Sequence, residues 1–154
     1  MAILDRRKDR FIEDQDKRVS VGIEFPLGRV GGGDGYFKTT KTTVESIKNN
    51  IKLLLKTNQG ERVFQPNLGM NLKSLVFEQL TEETIIQIEN NIADVFSVWL
   101  PFVELKEIDI DKTENQINLN IIFNIRRAPN SLESVQVTLG GVDGGTSTTT
   151  DGAY

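Results

Sequence analysis

Residues 116 to 126, QINLNIIFNIR, place Ile117, Leu119, Ile121, Phe123 and Ile125 on one parity and Gln116, Asn118, Asn120, Asn124 and Arg126 on the other. Successive side chains of an extended chain point to opposite faces, so this alternation describes a strand with one dry face and one wet face. Such a strand needs neighbours. Val103 and Leu105 share one parity and Ile108 and Ile110 the other, and a bulge near Lys106 and Glu107 reconciles them into a single strand. Residues 111–116 read as a turn, Ala128-Pro129-Asn130-Ser131 as the next, and Val135, Val137 and Leu139 as a third alternation.

Upstream the hydrophobic period is 3.6 rather than 2. Val44, Ile47, Ile51, Leu54 and Leu55 fall on one face of a helix over about 43–57, with Thr42 and Glu45 at capping-box spacing and Asn58-Gln59-Gly60 closing it. A short extended piece over 61–65 then leads to Pro66, and a small helix near 71–78 places Leu72, Leu75 and Val76 on one face. The longest helix follows Thr81, with Glu82 and Glu83 in its first turn and Ile85, Ile88, Ile92, Val95, Phe96 and Trp99 as its stripe; Pro101 ends it. Helices followed by three antiparallel strands define an α+β fold, with N-terminal helices packed on one face of a small antiparallel sheet.

With 154 residues the chain can bury one core, and the pattern divides it into a flexible N-terminal arm and Gly-rich loop (1–37), a single α+β domain (38–139) and a disordered Gly/Thr-rich tail (140–154). The arm mixes charges of both signs around Phe11 and Ile12, and 21–37 has a loop-like composition around Gly31-Gly32-Gly33-Asp34-Gly35. That run lacks the Gly-Lys-Ser/Thr opening a helix that a phosphate cradle requires. No leader-like or membrane-spanning apolar run is present.

Residue types narrow the chemistry. There is no histidine and no cysteine, which removes Ser-His-Asp and Cys-His catalysis, disulfides and nearly all zinc sites. A formal charge of −4 argues against a surface built to neutralise nucleic-acid phosphates. Carboxylates remain. Glu61, Glu78 and Glu104 are the candidates for an acid pair, and nothing in their spacing selects two of them; a local ion pair or loop hydrogen bond accounts for Glu61 and Glu78 equally well. Asp109 and Asp111 beside Glu114 read as a solvated face rather than a Ca²⁺ loop. The expectation is no catalytic residue, no cofactor and no metal site.

The segment GERVFQPNLGMNLKSLVFEQ, 60–79, instead reads as a fastening point, in which bends at Gly60, Pro66 and Gly69 set Glu61, Arg62, Phe77 and Glu78 around a corner. Phe77 and Trp99 are read first as core packing and second as interface anchors. With the Thr-rich start of the first long helix, its Leu53-Leu54-Leu55 end, Gly60-Glu61-Arg62, Pro66, Gly69, Leu72, Leu75 and Phe77-Glu78, residues 37–109 resemble the baseplate wedge family of contractile-tailed phages, the W-like group related to the type VI secretion baseplate. At the aromatic-x-Pro corner the family usually carries Glu-Pro-Arg; here Leu100-Pro101-Phe102 stands, next to Trp99, and implies apolar docking in place of a charged contact.

The resemblance implies a structural virion protein of the tail baseplate, made in the host cytoplasm and present in multiple copies around a sixfold axis. Its implied partners are other wedge proteins, the tail sheath protein and tube-proximal hub proteins, with no nucleic acid and no membrane. An exposed sheet edge supplies a physical route to the first sheath ring by strand addition. The rival readings are a carboxylate-based, lysozyme-like peptidoglycan hydrolase and a small adaptor domain unrelated to virions.

Overall fold

The computed structural model of the protein describes residues 11, 14, 16, 18–29, 36–79, 81–113 and 116–140. The tail beyond 140, most of the arm, the glycine run, Leu80 and Glu114 lie outside them. Two short strands, β1 (Gly22–Ile23) and β2 (Thr39–Thr40), precede helix α1 (Thr43–Lys56); a 3-10 helix (Leu72–Phe77), helix α2 (Glu82–Trp99) and strands β3 (Val103–Thr113), β4 (Gln116–Ile125) and β5 (Ala128–Gly140) follow.

The three-stranded sheet has the order β3-β4-β5, both pairs antiparallel. Ile117, Leu119, Ile121, Phe123 and Ile125 are buried and share one core with Val135, Val137 and Leu139, with Ile47, Ile51, Leu54 and Leu55 of α1, and with Ile88, Ile92 and Phe96 of α2. One-residue slippage of β4 would turn its apolar row to water, so that row sets the register. α1 and the 3-10 helix approach β5, while α2 approaches β3.

The β3 bulge falls where the parity change requires it: pairing passes from Leu105↔Phe123 to Glu107↔Ile122 and skips Lys106. Both expected turns are displaced. Pairing of β3 with β4 persists to Thr113↔Gln116, which leaves 114–115 for the connection instead of 111–116. Arg126 and Arg127 make the second turn, and Ala128 already pairs with Ile125. The next pair is Asn124↔Leu132, so 129–131 bulge out of the ladder. Pro129 sits in that interruption, where its missing N–H breaks no ladder bond. Asn124, expected on the wet face, is 3% exposed.

Each helix start is capped as its sequence suggests. Thr42 Oγ1 accepts from Glu45 N at 3.3 Å, and Thr81 Oγ1 from Thr84 N at the same distance. α1 gains a second cap: the Asp14 carboxylate accepts from the Thr43 N–H at 2.7 Å and its hydroxyl at 2.8 Å, across 29 residues of chain. Phe11 is buried in the core. At these two positions the arm is held on the domain rather than solvated, because a carboxylate satisfies orphan N–H groups at a helix N-terminus. Residues 21–29 and 36–40 are not plain loop either. Val21 N bonds Thr40 O, Glu24 N bonds Lys38 O, Lys38 N bonds Gly28 O, and Lys38 pairs with Glu24 at 2.8 Å, giving an antiparallel ribbon.

Candidate functional site

The 57–71 loop is built around its bends. Thr57 caps α1, its N–H and hydroxyl both bonding Leu53 O, and its own carbonyl then accepts from Met70 N at 2.8 Å. That bond folds the loop back onto the helix end. Gly69 lies at the closure with φ +100, and a β-carbon there would stand 2.2 Å from the Thr57 carbonyl oxygen, so only glycine fits. Gly60, φ +86, donates to Pro66 O at 2.9 Å and pinches off a smaller loop. Inside it Gln65 N bonds Arg62 O at 3.1 Å, a β-turn with Val63 and Phe64 at its two central positions. The extended piece expected over 61–65 is therefore a tight turn.

Glu61 braces this loop and does not face another acid. Its carboxylate accepts from Asn58 N at 3.0 Å and Asn58 Nδ2 at 2.7 Å. The Asn58 backbone bond, then the Asn58 side-chain bond, hold its pKa below the ordinary 4.5; desolvation opposes them and Lys73 adds a smaller lowering. Glu104 is lowered by its hydrogen bond to Lys106 and then by that ammonium's charge. Glu78 lies elsewhere, its backbone carbonyl accepting from the Lys112 ammonium. Asp109 and Asp111 are exposed on β3, opposite Asn120 and Asn118. Neither an acid in an apolar pocket nor a pair of facing carboxylates emerges from these residues.

The corner after α2 is a second tight turn. Leu100 N bonds Phe96 O at 2.8 Å and Val103 N bonds Leu100 O at 2.9 Å, with Pro101 and Phe102 between. Leu100 is buried, Trp99 half-buried and Phe102 41% exposed. Leu100 thus belongs to the core as much as to any surface.

Two of the expected groups meet. Arg62, Trp99 and Leu100 line one groove of about 360 Å³ with Leu53, Leu54 and Leu68. Glu78 lines a different, larger groove of about 560 Å³ beside α2, with Gln59, Asn71 and Asp94 among its polar neighbours. Phe77 is 92% exposed, which overturns its first reading as core. Val63 at 87% and Phe64 at 95% exposed were not anticipated. The available signal was two apolar residues between Gly60 and Pro66, where neither period 2 nor period 3.6 offers them a buried face. The ribbon shows Ile23, Leu27, Tyr36 and Phe37 to solvent as well, with Arg29 over the Tyr36 ring at 4.8 Å.

The described residues thus form an α+β scaffold with hydrogen-bonded turns, exposed apolar side chains at Val63, Phe64 and Phe77, and a three-stranded sheet whose outer strands are β3 and β5. Residues 41–130, more than half of the chain, match the baseplate wedge protein gp25 family, and the chain belongs to that family. Baseplate wedge protein gp25 of Enterobacteria phage T4 is 26% identical over 98 residues, covering 62% of this chain and 74% of its own. A crystal structure of a protein described as a tail lysozyme from Geobacter sulfurreducens shares the fold with a TM-score of 0.58 and 23% identity, over 70% of this chain and 98% of that one. A chain of the sixfold-symmetrised baseplate of the anti-feeding prophage shares it with a TM-score of 0.51 and 22% identity, over 75% and 80%.

Proposed function

We propose that the protein is a structural, non-catalytic wedge component of a contractile-tail baseplate, which fastens to neighbouring baseplate proteins through the loop and corner around Arg62 and Trp99 and presents its sheet to the first sheath ring. Family membership supports the baseplate role, and the sixfold relative supports multiple copies around the tail axis. The observation that carries the sheath contact is the contrast between the two edges of the sheet. β3 is interrupted at Lys106 and shows Glu104, Lys106, Glu107, Asp109 and Asp111 to solvent. Charges and bulges are what keep an edge from accepting another strand. β5 runs unbroken against β4 from Leu132 to Gly140, and its exposed side chains at 132, 134, 136 and 138 are Leu, Ser, Gln and Thr. The one charged side chain of that stretch, Glu133, is tied to Lys48 at 2.9 Å on the other face, so the exposed row that an incoming strand meets is uncharged, and the outer backbone groups of β5 are its hydrogen-bond partners.

The test is sheath assembly on reconstituted baseplates carrying Gln136→Pro, beside circular dichroism of the isolated variant and a Lys106→Pro control in the bulge. Gln136→Pro should fold and fail to start a sheath while Lys106→Pro starts one. Normal sheath initiation by a folded Gln136→Pro protein would remove strand addition through β5 and leave side-chain contacts as the link.

A further inference from the structure

The most exposed apolar side chains of the loop, Val63 and Phe64, are also among the most firmly presented. Their turn is closed by Gln65 N to Arg62 O, the loop beneath it by Gly60 N to Pro66 O, and the base by Met70 N to Thr57 O and Gln59 N to Asn71 Oδ1 at 3.2 Å. A segment held this way has little ordering entropy left to lose when it docks, which distinguishes an anchor from a stray surface hydrophobe. Arg62, the residue before them, lines the apolar groove formed by Leu53, Leu68 and Trp99 and makes no ion pair among the described residues. Knob, cation and groove are therefore contiguous.

We propose that Val63 and Phe64 insert into an apolar pocket of another protein of the assembly, whose adjoining segment places an apolar side chain in the groove and a carboxylate on Arg62. The unpaired guanidinium selects the carboxylate, since a bidentate pair is what its planar fork fits. A second copy of the chain fits less well. Knob and groove flank Arg62, so a reciprocal twofold exchange would bring the two guanidinium groups together, with like charges facing. The inference rests on the baseplate reading and names the surface and the partner chemistry for it.

The experiment uses the full chain in cells that produce the particle, with the native gene replaced. Val63→Ser/Phe64→Ser, Arg62→Glu and Phe64→Leu are compared with wild type by the amount of the chain in purified particles, by urea unfolding of each purified protein and by sedimentation of the free chain. Expected are unchanged unfolding midpoints, incorporation reduced on the order of tenfold or more for the double variant and for Arg62→Glu, and near-normal incorporation of Phe64→Leu. Wild-type incorporation of the folded double variant overturns the anchor while leaving the baseplate reading intact. Absence of the wild-type chain from particles overturns both. A wild-type dimer that dissociates in the double variant overturns the partner assignment in favour of a second copy.

Discussion

Replacing Gly69 by alanine separates backbone strain from lack of space, because Gly60 provides a matched control. Both glycines have positive φ, +100 and +86, where a β-carbon is strained by about 1–2 kcal/mol. At Gly60 nothing lies within 4 Å of the added carbon, so strain is the whole effect. At Gly69 the carbon would overlap the Thr57 carbonyl, with its oxygen at 2.2 Å and its carbon at 2.8 Å. The backbone must retreat by ~1 Å to restore a van der Waals contact. That retreat sacrifices the Met70 N–H bond to the same oxygen, worth about 0.5–1.5 kcal/mol, and disturbs buried Met70 and Leu72, with an overpacking cost of about 1–3 kcal/mol. Gly69→Ala should therefore destabilise by roughly 3–6 kcal/mol against about 1–2 for Gly60→Ala. For a urea slope near ~1.5 kcal/mol/M, the extra loss of about 1.5–4.5 kcal/mol moves the unfolding midpoint at least ~1 M further down than the control. Equilibrium urea unfolding followed by far-UV circular dichroism measures both. Equal midpoints for the two variants would refute the claim that the loop is closed against the end of α1.

Two further expectations concern the carboxylates. Because the folded pKa of Glu61 is depressed, its ionised form stabilises the loop above pH 4.5 and that contribution disappears as pH falls through the folded value. Glu61→Gln, which keeps the acceptor oxygen, should be less stable than wild type at pH 7 and converge on it in acid; a gap that is constant from pH 7 to pH 3 would contradict the assignment. The purified protein should leave a peptidoglycan suspension as turbid as buffer does, and clearing that is lost in a folded Glu78→Gln variant would overturn the non-catalytic reading.

Periodicity alone determined the elements that bury a regular face. The alternation through Phe123 dictates a half-buried strand, the parity change at Lys106 dictates the bulge, and the apolar stripes of α1 and α2 dictate helices between Thr caps, because these patterns are local and each has one backbone geometry that keeps it dry. The bends of the 57–71 loop were legible: Gly60, Pro66 and Gly69 are residues whose backbone preferences show in their names. Tertiary structure decided everything that depends on partners distant in the chain. Asp14 looks like one more arm charge until Thr43 offers it a helix terminus, and Phe11 looks solvated until the core takes it in. The hairpin turns moved because cross-strand pairing outweighs the local preference of Asp111 or Pro129 for a turn. Arg62 and Trp99, separate in sequence, share a groove only because the loop folds back along α1 while α2 ends beside it. Phe77 carries no mark that distinguishes it from a core phenylalanine, since exposure is a property of where the rest of the chain is absent, and that is settled by packing rather than by any local pattern.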